Sequence, residues 1–110
     1  MGFFNLFSST NINDGIEKMR KTNKAVLLDV RTKDEYIEAH IPDSINIPLN
    51  ELEKINQIVS DKGTPLFVYC LSGGRSRQAA AYLKRLGYSA VTDIGGINRY
   101  TGNTEKGAVI

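Results

Sequence analysis

The 110-residue sequence contains a single cysteine, Cys70, and a single histidine, His40. One cysteine cannot form a disulfide within the chain, and small secreted domains generally depend on several, so the sequence predicts a reducing, cytoplasmic setting. Two such side chains are also too few for a closed structural zinc site, which usually takes four Cys or His ligands. We therefore expect no metal and no other cofactor.

The sequence also lacks long apolar segments and runs of like charge. No stretch approaches the roughly 20 apolar residues that a membrane-crossing helix needs, and the apolar start 1–7 lacks the basic residues and the length of a signal peptide. The 14 Lys and Arg against 12 Asp and Glu leave a formal net charge of +2, without a run of either sign. The sequence therefore argues against nucleic acid and against membrane as partners.

The chain has the length and composition of an ordinary globular domain. It is long enough for one hydrophobic core and too short for two. Hydrophobic residues make up 41% and charged residues 24%, close to the averages of soluble proteins. We predict a single domain over residues 1–110, with residues 1–10 as an N-terminal arm or terminal strand packed on the body, or alternatively as a small dimer contact.

Short apolar runs alternate with helical patterns along the sequence. Three runs predict buried strands: 25–30, 66–69 and 90–94. Four segments with caps or amphipathic spacing predict helices: 11–21, 32–38, 50–59 and 77–86. Prolines at 42 and 48 make 39–48 an extended connection, and a short final element ends near Tyr100. This alternation predicts an α/β fold with a mostly parallel central sheet and helices on both faces.

Cys70 follows the predicted strand 66–69 directly and begins a glycine-rich loop. The loop consists of Leu71, Ser72, Gly73, Gly74, Arg75 and Ser76. Because glycine adopts positive φ readily, several backbone N–H groups can turn inward together at the positive end of the following helix. Such a nest binds anions. Ligands of parallel sheets bind beyond the carboxyl ends of the strands, which is where this loop is predicted to lie.

The loop predicts nucleophilic sulfur chemistry. The helix N-terminus and Arg75 both favour a thiolate at Cys70, which can then attack without a general base. The same amides would hold an anionic donor such as thiosulfate and afterwards a persulfide on Cys70. Sulfite leaves, and a thiol, cyanide or a protein then removes the sulfur in a second displacement. A lone cysteine at a strand end is often only a small core residue, and here the following Gly-Gly-Arg-Ser favours chemistry.

Several segments, in order from Ala25 to about Tyr100, resemble the rhodanese-like family. They are Asp29-Val30-Arg31 with Glu35-Tyr36, the segment 40–48, Val68-Tyr69-Cys70, the loop to Arg75, and Gly95-Gly96-Ile97. The resemblance implies a three-layer rhodanese-like fold and thiosulfate sulfurtransferase activity.

The same resemblance implies roles for individual residues. Cys70 would carry the persulfide, the amides of residues 71–76 would line the pocket, and Arg75 would attract the anion. Four residues would belong to the hydrogen-bonded framework and not to the catalytic machinery: Asp29, Arg31, Glu35 and His40. Members of the family often carry tryptophan near the position of Tyr100, and this chain has none, so we expect Tyr100 to fill that packing role.

Two alternatives remain open. A persulfide carrier that receives sulfur from a partner protein would need the same Cys70 and the same open loop. A phosphatase or arsenate reductase would also use a thiolate in an anion cradle. Those enzymes place five residues between the cysteine and the arginine, whereas four separate Cys70 from Arg75, which disfavours them.

Overall fold

The computed structural model of the chain describes residues 11–108, so the predicted N-terminal arm lies outside the described residues. In chain order the elements are helix α1 (Ile12–Lys21), strand β1 (Val26–Asp29), helix α2 (Lys33–Glu38), strand β2 (Ser44–Asn46), a first 3₁₀ helix (Leu49–Lys54), helix α3 (Ile55–Ile58), strand β3 (Leu66–Cys70), helix α4 (Gly74–Arg85), strand β4 (Val91–Gly96) and a second 3₁₀ helix (Ile97–Arg99). Within residues 11–108 every helix is too short or too polar to cross a membrane.

The strands form one sheet in the order β2-β1-β3-β4, with every neighbouring pair parallel. Strand β3 lies between β1 and β4 and is buried along its whole length. Its continuous apolar sequence is what a strand covered on both faces requires. The predicted α/β class with a parallel sheet is confirmed, and Cys70 comes to the carboxyl edge of the sheet on an internal strand.

Helices cover both faces of the sheet. On one face α1 buries Ile12, Ile16 and Met19 against alternate strand residues. On the other face α3 and α4 bury Ile55 and Leu83 against the intervening ones. Since successive side chains of a strand point to opposite faces, the two clusters sandwich the sheet, and the predicted three layers are confirmed.

Local sequence signals account for the starts of α1 and α2. The Asn11 side chain caps α1 by accepting a hydrogen bond from the Asn13 N–H at 2.8 Å. At α2 the Thr32 Oγ1 accepts from the Glu35 N–H at 3.2 Å, and Glu35 Oε1 accepts from the Thr32 N–H at 2.9 Å. This reciprocal pair is the predicted capping box, and both predicted helix starts are confirmed.

The segment 39–48 contains a strand that the sequence does not predict. Strand β2 pairs in parallel with β1 and forms one edge of the sheet. Pro42 and Pro48 correctly indicate extended backbone, but only three residues between them join the sheet. Such a short strand is too brief to show an alternating pattern.

The helix predicted over 50–59 is wrong in its geometry. The first 3₁₀ helix begins after Pro48, without a side-chain cap, and Glu51 departs from helical geometry at φ −122° and ψ 18°. Regular α-helix is confined to α3. The predicted cap at Asn50 is therefore absent from this described segment.

Two predicted boundaries beside Cys70 also move. Helix α4 begins at Gly74 rather than at Arg77, and β4 continues through Gly96 rather than ending at Ile94. Both shifts have one cause, since glycine tolerates helical and extended backbone as well as turns. Beyond β4, Tyr100 packs against the apolar cluster beneath α1, in line with the packing role expected for it.

Candidate active site

Cys70 ends β3, and the chain then turns through residues 71–73 into α4. Its side chain is 1% exposed, whereas Leu71 is 44% exposed. Ser72 and Gly74 are exposed as well. Packing in the core therefore fixes the position of Cys70 Sγ, and the surface above the sulfur consists of the loop.

Gly73 supplies the backbone turn that the sequence predicts for this loop. Its φ of 112° and ψ of −16° are left-handed, a conformation that favours glycine. The Gly73 N–H donates to Cys70 Sγ at 3.0 Å. Gly74 has helical backbone, and a Cβ there would meet nothing within 4 Å. Of Gly73 and Gly74, the two glycines assigned to the anion-binding nest, only Gly73 has a backbone conformation that favours glycine.

Ser76 brings a side chain to the sulfur. The residue is fully buried in the first turn of α4. Its Oγ lies 3.5 Å from Cys70 Sγ, 3.1 Å from the Gly73 carbonyl oxygen and 3.5 Å from the Gly95 carbonyl oxygen. The sequence assigns Ser76 to the site for its amide only. No signal in the sequence indicates the hydroxyl contact, because the helix is predicted to begin at Arg77, after Ser76.

Arg75 is paired with Glu35 of α2. The guanidinium donates from Nη1 to Oε1 at 2.7 Å and from Nη2 to Oε2 at 3.0 Å. These hydrogen bonds lower the pKa of Glu35 to about 2, so the carboxylate is charged at neutral pH. The structure thus joins the predicted anion-attracting residue to a predicted framework residue, and part of the Arg75 charge is offset by Glu35.

Asp29, the last residue of β1, forms a buried ion pair with Arg31. The Arg31 Nη2 lies 2.8 Å from Asp29 Oδ2, with the two side chains 5% and 0% exposed. Arg31 also donates to the Ala39 carbonyl oxygen at 2.6 Å, and its own N–H donates to Asp29 Oδ1 at 2.8 Å. The pair therefore ties the end of β1 to the chain after α2, which agrees with the implied framework role.

His40 is buried in the same framework. Its Nδ1 lies 2.8 Å from the Tyr36 carbonyl oxygen, and its ring stacks on the Tyr36 ring with centroids 3.8 Å apart. Its backbone pairs with Glu105 in an antiparallel bridge. None of these described contacts involves Cys70, so His40 holds α2 against the segment near Glu105.

Gly96 supports the loop from β4. It is the register partner of Cys70 across β3 and β4. A Cβ at Gly96 would lie within 3 Å of the Leu71 carbonyl oxygen, the Ser72 Cα and the Asn98 Oδ1. The loop thus rests directly on the backbone of β4. The Gly95-Gly96 pair in the sequence is a signal of this close approach.

Replacing Gly96 by alanine should displace the loop, because the atoms it would meet at Leu71 and Ser72 belong to the backbone. We expect a loss of about 1–3 kcal/mol in the free energy of unfolding and an altered iodoacetamide reaction rate at Cys70, measured by urea denaturation and by mass spectrometry. Gly74→Ala is the matched control for the unfolding measurement, since that Cβ has open space. Wild-type stability and thiol reactivity in Gly96→Ala would contradict the contact.

An open depression of about 400 Å³ lies beside the loop. Leu71 and Ile97 contribute apolar surface to it, and Arg31, Glu35 and Glu38 contribute charged groups. The depression therefore borders both the Cys70 loop and the Arg75–Glu35 pair. It gives a second molecule room to approach the loop.

Comparison with protein-family models identifies a rhodanese-like domain over residues 13–103. The thiosulfate sulfurtransferase PspE of Escherichia coli is 41% identical over 71 residues, which cover 64% of this chain and 68% of PspE. The putative sulfur carrier protein YrkF of Bacillus subtilis is 36% identical over 91 residues, covering 81% of this chain and 48% of YrkF. The adenylyltransferase and sulfurtransferase uba4 of Ogataea parapolymorpha is 37% identical over 87 residues, covering 78% of this chain. The chain spans 22% of uba4 and about half of YrkF.

Solved structures agree with this match. A rhodanese with anions from E. coli superposes with a TM-score of 0.71 at 37% identity, covering 76% of this chain and 99% of that chain. The SSP1007 protein of Staphylococcus saprophyticus superposes with a TM-score of 0.76 at 28% identity, covering 90% and 99% of the two chains. The order of strands and helices is therefore shared over most of the described residues.

Proposed function

The chain belongs to the rhodanese-like family, and from that premise we propose that it transfers sulfane sulfur from an anionic donor such as thiosulfate to a thiophilic acceptor, through a persulfide on Cys70. The observation that carries the proposal is the Gly73 N–H aimed at Cys70 Sγ, at 3.0 Å. The sulfur stands at the amino end of the 12-residue helix α4. Both features stabilise negative charge on the sulfur.

In the first step the Cys70 thiolate attacks the outer sulfur of thiosulfate. A new sulfur–sulfur bond forms to Sγ, the donor's own sulfur–sulfur bond breaks, and sulfite leaves with the electron pair. The Gly73 N–H and the positive end of α4 hold the thiolate before attack, so no proton has to be removed by a neighbouring base. The predicted pocket lining by the amides of residues 71–76 and the anion attraction by Arg75 belong to this proposal.

In the second step an acceptor nucleophile removes the outer sulfur. The depression of about 400 Å³ beside Leu71 provides the approach, and it suits a small thiol or cyanide as well as the end of a protein chain. Arg75 is ion-paired with Glu35, which lines this depression. Its attraction for a dianion is consequently weaker than that of an unpaired arginine.

The proposal is tested by the mass of the intact protein. Incubation with thiosulfate should add one sulfur atom, the added atom should map to the peptide that contains Cys70, and cyanide should remove it as thiocyanate. Incubation with sulfate is the control and should leave the mass unchanged. Failure to gain sulfur from thiosulfate would reject thiosulfate as the donor.

A persulfide carrier is the second candidate, and the exposure of the loop favours it. Leu71 is 44% exposed and no described segment covers it, so a partner protein has access to the Cys70 loop. A carrier would gain no sulfur from thiosulfate but would gain it from a protein persulfide. Loading by a persulfide-bearing cysteine desulfurase, compared with loading by thiosulfate, distinguishes the two candidates.

Several expectations from the sequence accompany the proposal. Transfer through Cys70 needs a free thiol, which fits the reducing, cytoplasmic setting expected from a single cysteine. The assignment of residues 1–110 to one domain stays a prediction, as do the expectations of no metal, no nucleic acid and no membrane partner.

A further inference from the structure

We propose that the Ser76 hydroxyl is a catalytic hydrogen-bond donor for the second step, stabilising the Cys70 thiolate as it is released from the persulfide. This inference rests on the proposed persulfide chemistry and deepens it. The backbone N–H of Gly73 also donates a hydrogen bond to Cys70 Sγ. The inference adds a side-chain donor, the Ser76 hydroxyl, for the discharge step.

The geometry places the hydroxyl among three acceptor atoms. Ser76 Oγ is 3.5 Å from Cys70 Sγ, 3.1 Å from the Gly73 carbonyl oxygen and 3.5 Å from the Gly95 carbonyl oxygen. A hydroxyl has one proton to donate and two lone pairs that accept. When Cys70 is a neutral thiol, its S–H donates to Ser76 Oγ, and the hydroxyl proton goes to the Gly73 carbonyl oxygen.

Loss of the thiol proton reverses the direction of the contact. A thiolate or a persulfide has no proton on Sγ and can only accept, so the Ser76 hydroxyl turns about its Cβ–Oγ bond and donates to Sγ. The Gly73 carbonyl oxygen loses little, because it also accepts from the Arg77 N–H at 3.1 Å. The site therefore accommodates both protonation states of Cys70 without leaving a buried polar group unpaired.

The two half-reactions use this hydrogen bond differently. During discharge to cyanide, a carbon–sulfur bond forms to the outer sulfur, the bond between Sγ and the outer sulfur breaks, and the electron pair returns to Sγ as thiocyanate departs. Negative charge on Sγ grows, so the bond from Ser76 strengthens toward the transition state. During loading by thiosulfate, charge on Sγ decreases, and the same bond gives no acceleration once the thiol is ionised.

The test is a single-turnover comparison of Ser76→Ala with the wild type. Protein loaded with sulfur and freed of donor is mixed with cyanide, and thiocyanate release is followed with time. We expect Ser76→Ala to discharge about tenfold more slowly or worse, the loss of one hydrogen bond to a charged group. Its loading rate at a pH where the thiol is ionised should not fall below that of the wild type, because the lost hydrogen bond stabilises the starting thiolate.

Two further variants serve as a rescue and as a control for this comparison. Ser76→Thr keeps a hydroxyl and should recover the discharge rate. Ser89→Ala removes an exposed hydroxyl ahead of β4, at the opposite edge of the sheet from Cys70, and should change neither rate. Equal slowing of loading and discharge in a folded Ser76→Ala protein would indicate a purely structural residue and overturn the inference, as would unchanged discharge.

Failure of the proposed function would show itself separately. It would be seen as an absence of loading in the wild type with thiosulfate, before any discharge is measured. Loading with inorganic polysulfide would then still supply persulfide for the discharge comparison, so the role of Ser76 is decided in either case.

Discussion

The Cys70→Ser variant should gain no sulfur from thiosulfate and should form thiocyanate from thiosulfate and cyanide only at the rate of the protein-free reaction. A serine hydroxyl stays protonated at neutral pH and is a far weaker nucleophile toward sulfur than a thiolate. Removing a covalent nucleophile costs several orders of magnitude in turnover. Intact mass and a thiocyanate assay, run on wild type and variant at equal concentration, measure this loss.

The fold should survive the Cys70→Ser change. The hydroxyl is close in size to the thiol and meets the same Gly73 N–H and Ser76 Oγ, so thermal unfolding should remain cooperative. A folded Cys70→Ser protein that still gains a cyanide-labile sulfur would place the transfer at another atom. That outcome would remove Cys70 from the proposed chemistry while leaving the family assignment intact.

The Asp29→Ala variant should lose about 3–5 kcal/mol of unfolding free energy, because it leaves the Arg31 guanidinium buried without its counter-charge. Both side chains are at most 5% exposed, so water cannot replace the lost carboxylate. Urea denaturation of wild type and variant gives the difference directly. Against the stability of a typical small domain, such a loss approaches complete unfolding.

Two comparisons make the Asp29 result specific. Glu51→Ala removes a carboxylate from the solvent-exposed Glu51–Lys54 pair and should leave the urea midpoint unchanged, since exposed pairs contribute little. The double variant Asp29→Ala/Arg31→Met removes both charges and should recover part of the stability. If Asp29→Ala unfolds at the wild-type urea concentration, the pair does not support the fold.

Signals contained in a few neighbouring residues were readable from the sequence. The capping box of α2 requires only Thr32 and Glu35. A buried apolar run followed by a glycine-rich loop indicates that Cys70 lies at the carboxyl end of β3. The parallel sheet follows from the alternation of apolar runs with helical segments. These features depend on local backbone geometry that the residue types themselves favour, so the folded structure retains what the sequence predicts.

Contacts between distant segments were not readable. The pairing of Arg75 with Glu35 joins residues 40 positions apart, and its formation depends on how the fold brings the first turn of α2 to the start of α4. The residue types could not distinguish Gly73 from Gly74 as the left-handed position, since both glycines permit it. Strand β2 is likewise defined by its pairing with β1, because three residues are too few to show a strand pattern in the sequence.

The burial of Cys70 bears on the regiochemistry of sulfur release. A persulfide offers two electrophilic sulfurs, and attack on the inner one would expel hydrosulfide and leave the acceptor trapped as a mixed disulfide. Because Cys70 is 1% exposed, an acceptor in solvent has little direct access to the inner sulfur of the proposed persulfide. Under the proposed mechanism, the burial of Cys70 therefore favours attack on the outer sulfur over formation of a mixed disulfide.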